Sequence, residues 1–362
     1  MRVLVVNAGS SSLKLSLVGP ADETLGECEL TATDEPADQA LLADALCALA
    51  GADAVGHRIV HGGERFSAAV RIDRGVESEL RELSELAPLH QARSLAAFDA
   101  VSLALPGVPG VACFDTAFHT TIPHGAATYA LPAAWRERWP LRRFGFHGLS
   151  HAYVARRAAE LVDDERDDLR LVSAHLGAGC SLCAIAGGRS IDTTMGFTPL
   201  EGLVMATRSG SVDPGMLLWL ADGRLSASAL AHGLEHESGL LGLAGSGDMR
   251  EVLSRAESGD RRAALALDVY THRLRGGIAS MAAALGGIDV LAFTGGVGQN
   301  APEVRERAVA GLGFLGIGLD EARNRAPTDD ADVTADGARA RVLVVQARED
   351  LEIARQTRAV LA

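Results

Sequence analysis

Two short hairpins with the same plan, 168 residues apart, constrain this chain more than any other feature. Residues 2–6 (RVLVV) are an apolar run suited to a buried strand. NAGSSS supplies turn residues, and LKLSLV resumes the alternation of a returning strand. The plan recurs from Leu171, where LVSAH is strand-like, LGAGCS is a Gly-rich turn and LCAIA returns. Asn7-Ala-Gly9-Ser and His175-Leu-Gly177-Ala thus hold equivalent places. A hairpin of this kind opening each half predicts two related halves.

The rest of the chain alternates in type. Residues 37–50 and 76–104 predict helices, the second interrupted near Ala87 and Pro88. AVGHRIV, AAVRI and VPGVACF (108–114) predict strands, the last ending at Asp115. Asp248 to about Gly286 predicts mostly helix, and IDVLAFTGGVGQN (288–300) a strand and Gly-rich turn before a helix opening near Pro302. Residues 327–340 predict a polar loop, RVLVV (341–345) a last buried strand and 350–362 a terminal helix. Strands alternating with helices give an α/β class, and 362 residues at 48% hydrophobic content can bury two cores.

Several functions are disfavoured. A net charge of −13 does not suit nucleic-acid binding, which needs basic stripes. No run approaches the ~18 apolar residues of a membrane span. The start of the chain lacks the apolar region of a secretory signal, so a cytoplasmic protein is expected. The five cysteines are Cys28, Cys47, Cys113, Cys180 and Cys183, an odd and irregular set for a disulfide framework. Cys180 and Cys183 form a CxxC, but in a strand i and i+3 face opposite ways, which suits core packing better than metal. Only one of 34 basic residues is a lysine, Lys14, and only Asn7, Asn300 and Asn324 are asparagines. Lys14, Asn7 and Asn300 stand in Gly-rich turns, where a departure from the chain's bias suggests a chemical need.

The turns carry the candidate chemistry. Gly9 allows a close backbone turn, and Ser10, Ser11, Ser12 and Lys14 suit phosphate or metal-bound water, although the same residues also make an ordinary serine-rich hairpin. GxxxxGK[ST] is absent. HLGAGCS and TGGVGQN have the same flavour, and three such turns together suggest a nucleotide. Arg58 in HRIVHGGE and Arg208 in TRSG are planar donors for carboxylate and phosphoryl oxygens, and His147 in FGFHGLSH suits a phosphoryl oxygen. Asp115 stands at a strand end, the usual ligand-facing place in an α/β sheet. Glu349 in ARED suits a magnesium site or simply the start of the terminal helix.

NAGSSSLK, HRIVHGGERF, FDTAFH, RRFGFHGLSH, HLGAGCS, DTTMGFTPLEGLVMATRSG, SGDMR, FTGGVGQN and the final ARED run in order from residue 7 to about 355. Together they resemble the acetate and propionate kinase family of the actin/Hsp70/sugar kinase superfamily. The resemblance implies a two-domain actin-like ATPase fold with a duplicated core and an interdomain cleft. It places 1–117 with 348–362 in one lobe and 118–347 in the other. It implies reversible transfer of the ATP γ-phosphoryl group to acetate, giving acetyl phosphate and ADP. Mg2+ would be the cofactor, with Mn2+ able to substitute, and the protein a homodimer. Propionate or another short-chain acid as acceptor, and an inactive ATP-binding module, are the alternatives.

The resemblance also implies roles. Asp115, His147 and Arg208 match catalytic positions, and Arg58 the carboxylate-binding arginine. Val60, Leu89, Phe146 and Pro199 match a small pocket for the acetate methyl. Lys14, His175, Leu176, Gly177, Ala178, Gly179, Asp248, Met249, Arg250, Gly296, Val297, Gly298, Gln299 and Asn300 match nucleotide contacts, and Asn7 and Glu349 magnesium-associated ones. Ala178 and Gln299 depart from the family's usual Asn and Glu, and Ser211 from its Asp. A carboxylate acceptor is already ionised at pH 7, so Asp115 is expected as a metal or water-network ligand and not as a general base.

Overall fold

Val3, Leu4, Val5 and Val6 are all buried, so the strand Val3–Ala8 (β1) must be covered on both faces. In the computed structural model it lies inside a six-stranded sheet. β1 pairs antiparallel with Ser12–Val18 (β2), and β2 with Thr24–Thr31 (β3). On its other side it runs parallel to Ala54–Ile59 (β4), which is parallel to Gly110–Phe114 (β6). The short Val70–Arg71 (β5) closes that edge antiparallel to β6, giving the order β3-β2-β1-β4-β6-β5. Side chains alternate between the faces. Leu4, Val6, Leu15, Leu17 and Val55 pack with Val101 of the helix Pro88–Ala104. Val3, Val5, Val18, Val111 and Cys113 pack with Ile353 and Ala354 of the helix Glu349–Leu361.

The structure describes residues 1–9, 12–31, 44–46, 48–83, 88–163, 168–325 and 329–362. They form two units. The first holds Met1–Thr120, Phe146–Tyr153 and Arg348–Ala362, the second Thr121–Gly145 and Val154–Ala347.

The second unit repeats the plan of the first. Arg170–Leu176 (β7), Cys180–Ala186 (β8) and Arg189–Thr193 (β9) form an antiparallel meander. Val290–Thr294 (β10) is parallel to β7. Ala331–Asp332 (β11) pairs antiparallel with Arg341–Val344 (β12), which is parallel to β10. The order β11-β12-β10-β7-β8-β9, taken from its other edge, is that of the first sheet. The duplicated core expected from two hairpins is present. The long helix Arg261–Ala284 covers this sheet with a stripe including Ala263, Leu267, Tyr270, Leu274, Ile278 and Met281. Asp260 caps its start by accepting from the N–H groups of Arg262 and Ala263.

Three local expectations change. TGGVGQN is not an open turn: Gly295–Asn300 is helical, directly after β10. The polar stretch 327–340 supplies β11 to the sheet edge. Phe146–Tyr153, expected in the lobe 118–347, packs in the first unit. Leu149 joins the Ile353 core there, and the N–H of Gly148 donates to the Asp115 carbonyl at 2.9 Å. A side chain at 148 would overlap that carbonyl, so the approach requires glycine. Most of the helix expected over 37–50 lies outside the described residues, as do Cys47, Ser10, Ser11 and the side chains of Ser12 and Leu89.

Candidate active site

In the first unit the site residues follow from strand register. Arg58 of β4 lies opposite Cys113 of β6, so Asp115, two residues on, projects to the same face. Val6 lies opposite His57, which sets Asn7 beside Arg58. Asn7, Arg58 and Asp115 therefore cluster at the carboxyl ends of three parallel strands, where α/β sheets bind ligands. Glu349 arrives at the first turn of the terminal helix packed on that face.

The cluster is tightly bonded. Asp115 is buried, and Arg58 grips it with Nε at 3.1 and 3.2 Å and Nη2 at 2.6 Å. Arg58 Nη1 donates to Asn7 Oδ1 at 3.0 Å, and Asn7 Nδ2 donates to Glu349 Oε2 at 2.9 Å. Burial opposes the charge of Arg58, but Asp115 and Glu349 outweigh it and hold its pKa above the usual value. Two of its N–H hydrogens remain for an anionic ligand.

Val60 and Phe146 are buried. His147, half-buried, takes a left-handed backbone with φ 56°, strained for a non-glycine residue. His119 Nε2 lies 3.0 Å from the Phe146 carbonyl and so anchors that turn. Burial pushes its pKa down to about 4, against the pull of that carbonyl, and keeps the ring neutral. His119 was present in the FDTAFH motif, but its role shows only in this contact. Lys14, opposite Asn7 in the β1–β2 ladder, is exposed and lies 3.7 Å from Glu29.

In the second unit Arg208 is half-buried. Its Nη1 donates to the Pro199 carbonyl at 3.2 Å and lies 3.8 Å from Met205 Sδ. It makes no ion pair among the described residues. Burial lowers its pKa, and Glu235 and Cys180 only partly offset that. A desolvated guanidinium without a carboxylate is suited to an incoming anion.

The β7–β8 turn closes through the Gly177 N–H to the Gly179 carbonyl at 3.0 Å, leaving Ala178 exposed and Leu176 buried. His175 of β7 lies opposite Thr294 of β10, which brings this turn beside Gly295–Asn300. Gly296 and Asn300 are exposed there, Val297 is half-buried and Gly298 is buried. Asn300 Nδ2 donates back to the Gly296 carbonyl at 2.9 Å. With its amide oxygen facing inward, Gln299 accepts from the Gly295 N–H at 3.2 Å and the Ala347 N–H at 2.7 Å.

Arg305, which the motifs did not reveal, fixes this helix from behind. It is fully buried and donates to the carbonyls of Gly298 and Gln299, both at 2.7 Å, and to Asn324. The rarity of asparagine was the one sequence signal for Asn324. Asp248 caps the helix Met249–Glu257 and binds the Arg250 guanidinium at 2.7 Å. Asp248 and Arg250 are exposed, whereas Met249 is buried in the core. Cys180 and Cys183 point to different partners, Tyr270 and Ser190, and are free thiols.

No group of three His, Cys, Asp or Glu side chains gathers into a metal cluster among the described residues. Mg2+ asks for less, one or two carboxylates beside phosphate and water. Glu349, Asn7 and Asp115 carry oxygens of that kind, those of Asn7 and Asp115 accepting here from Arg58.

The model of the acetokinase family matches residues 32–355. The chain is 46% identical to an acetate kinase of Leifsonia xyli subsp. xyli, over 98% of this chain and 97% of that one. It superposes on the crystal structure of Porphyromonas gingivalis acetate kinase with a TM-score of 0.91 and 36% identity, covering all of both chains. A propionate kinase from Francisella tularensis gives a TM-score of 0.92 and 34% identity over 99% of each chain. From these likenesses and the two matching sheets, the chain belongs to the acetokinase family.

Proposed function

We propose that this protein is an acetate kinase that moves the γ-phosphoryl group of ATP reversibly and in line onto acetate, giving acetyl phosphate and ADP. Membership of the acetokinase family makes it a kinase with a carboxylate acceptor. The observation that carries the finer reading is the pair of arginines: Arg58 fixed by Asp115 and Asn7 with two hydrogens to spare, and Arg208 half-buried with no ion pair among the described residues.

Arg58 anchors the acetate carboxylate. Asp115, held by Arg58, orients that guanidinium and is not the proton acceptor of the reaction, since the acceptor is already an anion. Arg208 and His147 offset charge on the transferring phosphoryl oxygens. Val60, Leu89, Phe146 and Pro199 are the residues that set which acids are accepted, acetate before larger ones. Lys14, the turn His175 to Gly179, Asp248 to Arg250 and Gly296 to Asn300 hold the nucleotide, with Ala178 contributing backbone only. Asn7, Glu349 and Asp115 would hold Mg2+, which when bound offsets phosphate charge. The enzyme acts in the cytoplasm, where ATP is supplied.

We propose a homodimer as well. The helix Pro214–Ala221 (PGMLLWLA) buries none of its residues, and Leu218 and Trp219 are largely exposed.

A hydroxylamine trap tests the activity. With ATP, Mg2+ and a panel of short acids, acetate should give the most acyl hydroxamate. Propionate giving more would favour the neighbouring propionate kinase activity, and none from any acid would overturn the proposal.

A further inference from the structure

We propose that Tyr129, Arg143 and Glu201 form a strap that positions Pro199 and Arg208, making them positioning residues for phosphoryl transfer; this rests on the kinase reading above. Loop 194–204 carries Pro199, whose carbonyl is the one oxygen accepting a hydrogen bond from Arg208 among the described residues. Whatever fixes Pro199 therefore aims Arg208.

Arg143 ties down both ends of that loop. Nη1 donates to the carbonyls of Thr193 at 3.1 Å, Thr194 at 3.1 Å and Met195 at 3.0 Å. Nη2 donates to Glu201 Oε1 at 2.8 Å. Tyr129 closes the ring of contacts. Its hydroxyl donates to Glu201 Oε2 at 2.5 Å and accepts from the Phe197 N–H at 3.0 Å. Its ring also lies under the Arg143 guanidinium, 5.6 Å away. Two residues downstream of Thr194, a side chain at Gly196 would overlap the Glu201 carboxylate and the Tyr129 hydroxyl and push the two ends of the strap aside. The backbone is tied in as well, through the N–H groups of Phe144 and Gly145 to the Gly196 carbonyl at 3.1 and 3.3 Å.

These contacts fall on residues 193–197 and on Glu201, either side of Pro199, whereas Arg208 itself has few hydrogen bonds to orient it. Its other side-chain hydrogen bond among the described residues is to the soft thioether of Met205. Burial of Tyr129, reinforced by Glu201, raises its pKa, so the hydroxyl stays a donor at neutral pH. A strap of several bonds acting on a residue whose one oxygen acceptor is the Pro199 carbonyl is the arrangement expected where geometry must be held to a fraction of an ångström.

The test compares Tyr129→Phe, Glu201→Gln and the double variant with wild type. Phenylalanine keeps the ring against Arg143 and removes the oxygen that serves both Glu201 and Phe197. Each single variant should lower kcat by roughly tenfold or more, since small misplacements near a reacting group carry costs of this order. The KM for ATP should stay within about threefold, a split showing loss of an interaction made in the transition state. The double variant should fall no further than either single one, the mark of groups acting as a unit. Wild-type kcat in Tyr129→Phe would overturn the proposal, as would a loss matched by an equal loss of folded protein in near-UV circular dichroism. Failure of the kinase reading shows separately, as wild type that makes no acyl phosphate from any acid.

Discussion

Asp115→Asn is the change whose consequence the geometry specifies most closely. The Asp115 side chain is 3% exposed and that of Arg58 14%, with Nη2 and Oδ2 at 2.6 Å. Removing one partner of a buried ion pair leaves the other charge desolvated and costs about 3–5 kcal/mol. Arg58 keeps its bond to Asn7, so the lower end applies. That cost falls on the stability of the fold, and an acetate anchor no longer held by Asp115 should lower kcat/KM for acetate by roughly a hundredfold, the order expected of a small misplacement beside the reacting group. The assay is initial-rate acyl hydroxamate formation with acetate and MgATP varied in turn, alongside thermal unfolding. The loss should fall mainly on acetate and should accompany a lower Tm. An unchanged kcat/KM for acetate would refute the positioning role of Asp115. Abolished turnover with normal acetate and metal binding would instead restore it as a proton acceptor.

Three other outcomes are expected. Arg208→Ala should cut kcat by about 100-fold or more while the KM for ATP moves little, because its charge is needed mainly in the transition state; a near-normal kcat would remove it from the mechanism. Val60→Ala should raise the propionate-to-acetate ratio of kcat/KM severalfold, within the 1–3 kcal/mol or so that one methylene is worth, and an unchanged ratio would refute the pocket assignment. Burial lowers the pKa of His57 to about 3 and of His119 to about 4 from the ordinary 6.5. The unfolded chain therefore takes up protons near pH 6.5 while the folded one does not. Stability is full above that pH and falls by about 1.4 kcal/mol per unit for each group as pH drops toward 4, which urea midpoints would show; a flat profile would contradict it.

The elements nearest the chemistry were legible because they are local. Apolar alternation around Gly9 and Gly177 marks two hairpins, and the buried run Gly110–Phe114 points at Asp115. Pairing was not legible. Arg58 meets Asp115 only because β4 and β6 run parallel in a register set by packing 57 residues apart. The helix at Gly295–Asn300 was hidden because glycine disfavours helices, and here Arg305 holds it from outside the motif. Phe146–Tyr153 left its expected lobe because Gly148 docks on the Asp115 backbone. Tyr129 and Glu201 carried no sequence signal of partnership at all.

The central claim is transfer of phosphate to a carboxylate, and 31P NMR of the wild-type protein with MgATP and acetate tests it most directly. An acyl phosphate resonance should grow in step with ADP, and ADP with acetyl phosphate should regenerate ATP. Inorganic phosphate as the only product, or no turnover in either direction, would contradict the account.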